Sequence, residues 1–168
     1  LAEIRETLLL GDRRRARECA LQLLFQLDLS PEPVEEALAG YWAARKPRAA
    51  VAEYGTRLVR GAMSRRDWID EVLGAISHHW RVARMAVVDR NILRLALYEM
   101  LFERETPPIV VINEAIEIAK KFGNDESGPF INGILDAVRL RVDSGAIRLP
   151  EGAAAQPAEP AARVRSSA

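Results

Sequence analysis

Apolar positions along the chain recur at three- and four-residue spacing, and proline and glycine cut that pattern into helical blocks. In the first block Ala16, Cys19, Ala20, Leu23, Leu24 and Leu27 share one side, with Asp12 the expected N-cap and Ser30-Pro31 the stop. A second short helix is predicted over 34–44, before Lys46-Pro47. Val51, Tyr54, Leu58, Ala62, Ile69, Val72 and Ile76 then keep one register through Gly61 and Ser64, which predicts a single long helix. After a connector holding Trp80, the segment 88–104 places Ile92, Leu93, Leu95, Ala96, Leu97, Met100, Leu101 and Phe102 in nearly every direction. A helix apolar all round is a buried, central one. Pro107-Pro108 ends it. Ile112, Ala115, Ile116 and Ala119 mark the next helix, with Lys120 and Lys121 near its electronegative end and Gly123 as its stop. The last helix starts near Ser127 and turns Ile131, Ile134, Leu135, Val138 and Val142 inward. Neither an internal repeat nor an alternating strand pattern is present, so the expected class is all-α.

The 168 residues suit one domain, divided as an N-terminal extension (1–11), a helical domain (12–148) and an Ala/Pro-rich tail (149–168) expected to be disordered. The 24 basic and 24 acidic side chains cancel, so any attraction to nucleic acid must come from a local patch. A single cysteine, Cys19, excludes an intrachain disulfide and a cysteine zinc site and suits the cytoplasm. No apolar run reaches the roughly 18 residues of a membrane span. The Leu8-Leu9-Leu10 run, with Glu3 and Glu6 before it, does not read as a signal peptide.

Nothing in the sequence reads as a catalytic, metal or cofactor site. A Gly-rich phosphate loop, a dinucleotide fingerprint and a nucleophile elbow are all missing. His78 and His79 are adjacent, so on a helix they diverge by about 100°. Four other features carry chemistry. Arg13, Arg14, Arg15 and Arg17 fall at the expected helix start, where each exposed cation opposes the helix dipole by about 0.3–1 kcal/mol. Bound phosphate would account for them; so would a tolerated basic terminus balanced by Asp12 and Glu18. Phe25 lies about 180° and Leu21 about 140° from the centre of the first core stripe, facing either a partner or another helix of the fold. Phe130, after the loop 124–129, sits about 100° off its helix's inner face, suited to stacking on an unpaired base or to edge packing. Asp89, Arg90, Asn91 and Arg94 on the buried helix either form internal caps and ion pairs or contribute to a partner surface.

The runs RRRARECALQLLFQLDLS, VVDRNILRLALYEM, INEAIEIAKKFG and PFINGILD, in that order, resemble the NusB family of transcription antitermination factors over about residues 13–138. The resemblance implies about seven helices in two subbundles, with helix one contributing to both. It implies binding of boxA, a single-stranded element of ribosomal RNA leader transcripts, as a heterodimer with NusE, a small-subunit ribosomal protein in its transcription role. That pair joins the RNA polymerase antitermination complex. On this chain the implied RNA contacts are Arg13, Arg14, Arg15, Arg17, Glu126 and Phe130, with Ser127 added from the same loop; the implied NusE contacts are Phe25 and Asp89, with Glu18, Leu21 and Arg94 added from their surroundings. Gly128-Pro129 departs from the polar or basic pair that relatives often carry there. A homodimer, a protein-interaction module without RNA binding, and the NusB-like domain of a ribosomal RNA methyltransferase stay open.

Overall fold

Seven α-helices make up the computed structural model, which describes residues 1–78, 81–103 and 105–150. They are α1 (Ala2–Leu29), α2 (Val34–Arg45), α3 (Ala49–Ser64), α4 (Arg66–Ile76), α5 (Val87–Phe102), α6 (Pro108–Phe122) and α7 (Ser127–Asp143), with a 3-10 turn at Val82–Arg84. Every residue of α5 from Asn91 onward is buried, as expected of a helix with apolar residues in nearly every direction, and its polar members Asn91, Arg94 and Glu99 are buried with partners. It packs on α1, α3, α4, α6 and α7 and is the wall shared by the two halves of the molecule. Helix α1 lies against α2 and α3 on one side and α5 on another, while α6 sits between α5 and α7. Among the described residues no helix is long and apolar enough to cross a membrane. The Ala/Pro-rich segment from 151 lies outside the described residues, as does Trp80; Ile147 and Leu149, just before the former, fold back onto the core after a left-handed Gly145.

Two expectations about helix boundaries are corrected. The first helix does not start at Asp12 but at Ala2, running unbroken through Gly11. The stretch before Asp12 is dominated by Leu and Glu, both good helix formers, and Asp12 is not a cap: its carboxylate reaches across to Arg48 at 3.1 Å. The arginines therefore sit in mid-helix, away from the positive end of the helix dipole.

The expected long third helix is two, broken at Arg65, whose φ of −111° and ψ of 12° leave the helical range. The Ser64 hydroxyl donates to the Gly61 carbonyl, which also accepts the Arg65 N–H, while the Arg65 guanidinium lies 4.4 Å from the Phe102 ring centre. One displaced residue scarcely alters the apolar register, so the pattern survives the bend. The bend takes α4 towards α7. Just before it, α3 and α5 come so close that a Cβ on Gly61 would stand 1.9 Å from the Tyr98 ring.

Candidate nucleic-acid interface

Consecutive residues of a helix point about 100° apart, so the arginines of α1 must leave in different directions, and each finds a different carboxylate. Arg13 donates to Glu105 at 2.6 Å and to the Thr106 hydroxyl at 3.1 Å. Arg14 grips Glu114 of α6 with two parallel bonds of 3.0 and 2.8 Å. Arg15 makes one longer contact, 3.3 Å, with Glu18. Arg17 turns inward onto Glu99 and is almost fully enclosed.

The four arginines are thereby sorted. The Arg17 guanidinium is spent on Glu99, with Glu114 a further 3.8 Å neighbour, and cannot reach a solvent-borne phosphate. Burial works against its charge, but the bonds and charge of Glu99 outweigh that and raise its pKa. The hydrogen bond from Arg14 holds the Glu114 carboxyl below the usual range. Arg14 and Arg15 keep more than half of their side-chain surface in solvent, and Arg13 less than a quarter. Only the first two stand largely in solvent, and of these Arg14 is held by Glu114.

At the far end of α6 the chain turns through Gly123 into α7. The Asn124 side chain accepts the Glu126 N–H at 2.9 Å, and the Ser127 hydroxyl accepts the Asn124 N–H at 3.1 Å. Ser127 is buried by this arrangement, so its hydroxyl shapes the loop and is closed to RNA. Glu126 is exposed and Phe130 partly so, its ring resting on the edge of the core.

The expected partner residues separate in the same way. Phe25 is partly exposed and, among the described residues, stands outside the core cluster. Leu21 is buried, and of its two open readings this supports cover by another helix of the fold, because α1 is flanked on more than one side and its buried face is wider than one stripe. Glu18 is also covered, lying beneath Arg15 and Lys121. Arg94 belongs to the interior: it donates to Asp70 at 2.7 and 2.8 Å and to Asp28 at 3.2 Å. Arg90 and Asn91 converge on the same Asp28, so this set is an internal lock between the end of α1 and α5. Burial pushes the Asp28 carboxyl up, but bonds from Arg90 and Asn91 and the charge of Arg94 hold it below its usual value. Asp89 is nearly buried in the first turn of α5.

Sequence reasoning missed Lys121, read only as a dipole-compensating residue. Its ammonium lies 3.1 Å from both oxygens of Glu18, a pairing across 103 positions that no local pattern reveals. Among the described residues no cluster of His, Cys, Asp and Glu could hold a metal ion.

Comparison with known proteins agrees with this architecture. The NusB family model matches residues 14–139. A transcription antitermination protein NusB of Anaeromyxobacter dehalogenans is 48% identical over 127 residues, 75% of this chain and 89% of that protein. Its counterpart in Myxococcus xanthus is 42% identical over 140 residues, 80% of this chain and 99% of its own length. The solved structure of T. maritima NusB superposes with a TM-score of 0.72 at 37% identity, covering 80% of this chain and 97% of that one. A chain in the crystal structure of antitermination factors NusB and NusE in complex with dsRNA gives 0.69 at 28% identity, covering 76% and 96%. With four motifs in order, a shared helical architecture and a match across three quarters of its length, the chain belongs to the NusB family.

Proposed function

We propose that this chain is a transcription antitermination factor that binds boxA RNA of ribosomal RNA leader transcripts together with NusE and helps RNA polymerase read through terminators. It acts in the cytoplasm, by binding and without catalysing a reaction. The observation that carries this reading is the 48% identity extending over 89% of a relative named as an antitermination protein.

The surface divides the work. Arg14 and Arg15, with Arg13 beside them, meet the sugar–phosphate backbone, and the partly exposed Phe130, next to Glu126, stacks on a base. Arg17 and Ser127 support that face from inside. Phe25 and Asp89 meet NusE, while Leu21 and Arg94 are buried within the fold and Glu18 lies beneath Arg15 and Lys121. The related solved complex holds double-stranded RNA. For this chain a stacking ring favours an unpaired base.

Because the net charge is zero and the arginines are already engaged with carboxylates, binding by the chain alone is weak and salt-sensitive. Two RNA surfaces joined in a heterodimer raise the affinity together. A gel-shift titration with a boxA oligonucleotide, single-stranded and as a duplex, with and without NusE, tests this. The expected result is tight binding only of the single strand and only with NusE. Equal binding without NusE would refute the division of labour, and preference for the duplex would refute the stacking role. The internal engagement of the arginines favours one second reading, a protein-interaction module that takes NusE alone; it predicts no RNA shift under any condition.

A further inference from the structure

Helices α1 and α6 are stitched along one seam by Arg14 with Glu114 and Lys121 with Glu18, and the enclosed Arg17 lies 3.8 Å from Glu114. Three solvent-facing cations meet two carboxylates there. Arg14, Arg15 and Lys121 each leave 57% of their side-chain surface in solvent, whereas Glu114 and Glu18 leave 17% and 10%. The acids are sunk into the seam and the bases stand over it.

Glu18 is the focus. Lys121 approaches both of its oxygens at 3.1 Å, and Arg15 shares one of them at 3.3 Å. One carboxylate thus holds two cations, and the group retains a positive charge. An ammonium carries three N–H donors and a guanidinium five. Arg15 uses one guanidinium nitrogen here, so most of its donors face water. Arg17, enclosed on Glu99, offers the opposite case. Lys121 is further steadied by the Phe122 ring, whose centre is 5.3 Å from the ammonium. Of the neighbouring acids, Glu117 is engaged by Lys120 at 3.1 Å, and Glu114 by Arg14.

We propose that Lys121 is an RNA-phosphate contact that works with Arg15 as a two-cation clamp anchored on their shared carboxylate, Glu18. This deepens the RNA-binding reading above and rests on it. The placement suits a continuous strand: Lys121 lies at the end of α6 that runs directly into the loop before Phe130. A backbone held at the clamp can continue to the stacking ring. Lys121 is solvent-facing, so its removal leaves the core untouched.

The test is fluorescence anisotropy of the full chain, with and without NusE, against a single-stranded boxA oligonucleotide over a salt series. Lys121→Ala is expected to weaken binding about five- to tenfold at low salt and to flatten the log K against log salt slope by about 0.7, the loss of one single-strand phosphate contact. Lys121→Arg is expected to restore both, and NusE affinity measured without RNA is expected to stay unchanged. Phe130→Leu supplies the reference. If Phe130→Leu weakens binding but Lys121→Ala matches the parent in affinity and slope, the clamp is refuted and the RNA reading survives. If the parent binds no RNA even with NusE, both fall. A loss of NusE affinity in Lys121→Ala with RNA binding intact would reassign the clamp to a protein acid.

Discussion

Arg17 and Glu99 face one another in the middle of the molecule, with three N–H···O contacts of 2.6 to 3.0 Å between them and both side chains almost fully enclosed. Tyr54 donates its hydroxyl to the same carboxylate at 2.6 Å, and burial together with the Glu99 charge pushes the Tyr54 pKa up. An arginine that reads on paper as a hand held out to phosphate is a structural rivet between α1 and α5.

Removing one member of an enclosed ion pair strands the other, at a cost of about 3–5 kcal/mol. Arg17→Ala is therefore expected to lower stability by that amount in urea denaturation. Arg17→Met combined with Glu99→Leu is expected to recover most of it. An Arg17→Ala protein with the parent's urea midpoint and reduced RNA affinity would return this residue to the RNA face.

Glycines of this fold are expected to respond to alanine with opposite signs. A methyl group at Gly61 would collide with the Tyr98 ring, so Gly61→Ala should destabilise by about 1–3 kcal/mol through overpacking. At Gly40 in α2 and Gly133 in α7 a Cβ meets nothing, so alanine there should add roughly 0.5–1 kcal/mol from helix propensity. Thermal melts of the three single variants decide it.

Acid should weaken the fold through Asp28 and Glu114, whose carboxyls are both held below their ordinary pKa. A carboxyl with a lower pKa folded than unfolded stabilises fully above its unfolded value, near 4, and that stabilisation is lost as pH falls through the folded value. The urea midpoint is expected to decline below about pH 5 and to keep declining beneath pH 4. In Asp28→Asn that acid limb should be shallower; an equally steep limb would show that Asp28 does not contribute to it.

Phe25→Ala should leave the fold nearly intact, since the ring stands outside the core cluster, and should reduce NusE affinity by about 2 kcal/mol or more, as aromatic anchors of interfaces do. Calorimetric titration against NusE measures this. Affinity equal to the parent's would move the partner surface elsewhere on the chain.

Which segments are helical and which is central were largely legible from periodicity, because burial imposes it: α5, with apolar residues in nearly every direction, reads as the shared wall. The bend at Arg65 was hidden because one displaced residue barely disturbs a 3.6-residue register. The start of α1 was misplaced because Asp12 carries the chemistry of a cap while its carboxylate serves Arg48. For the candidate site the limit was pairing. Sequence places Arg14, Arg15 and Arg17 equally near one another, and only long-range partners such as Glu114 and Glu99 separate exposed cations from enclosed ones. Leu21 stayed undecided for a related reason, since an angle on one helix does not say how many neighbours surround it.

Asp28 gathers Arg90, Asn91 and Arg94 at the last turn of α1, while Arg17 fastens the same helix further back. A rod gripped at two points along its length has little freedom to rock or unwind. Whatever lands on the flank around Phe25 meets a prearranged template, so little ordering entropy opposes docking, and the speed of association is governed by encounter instead of rearrangement.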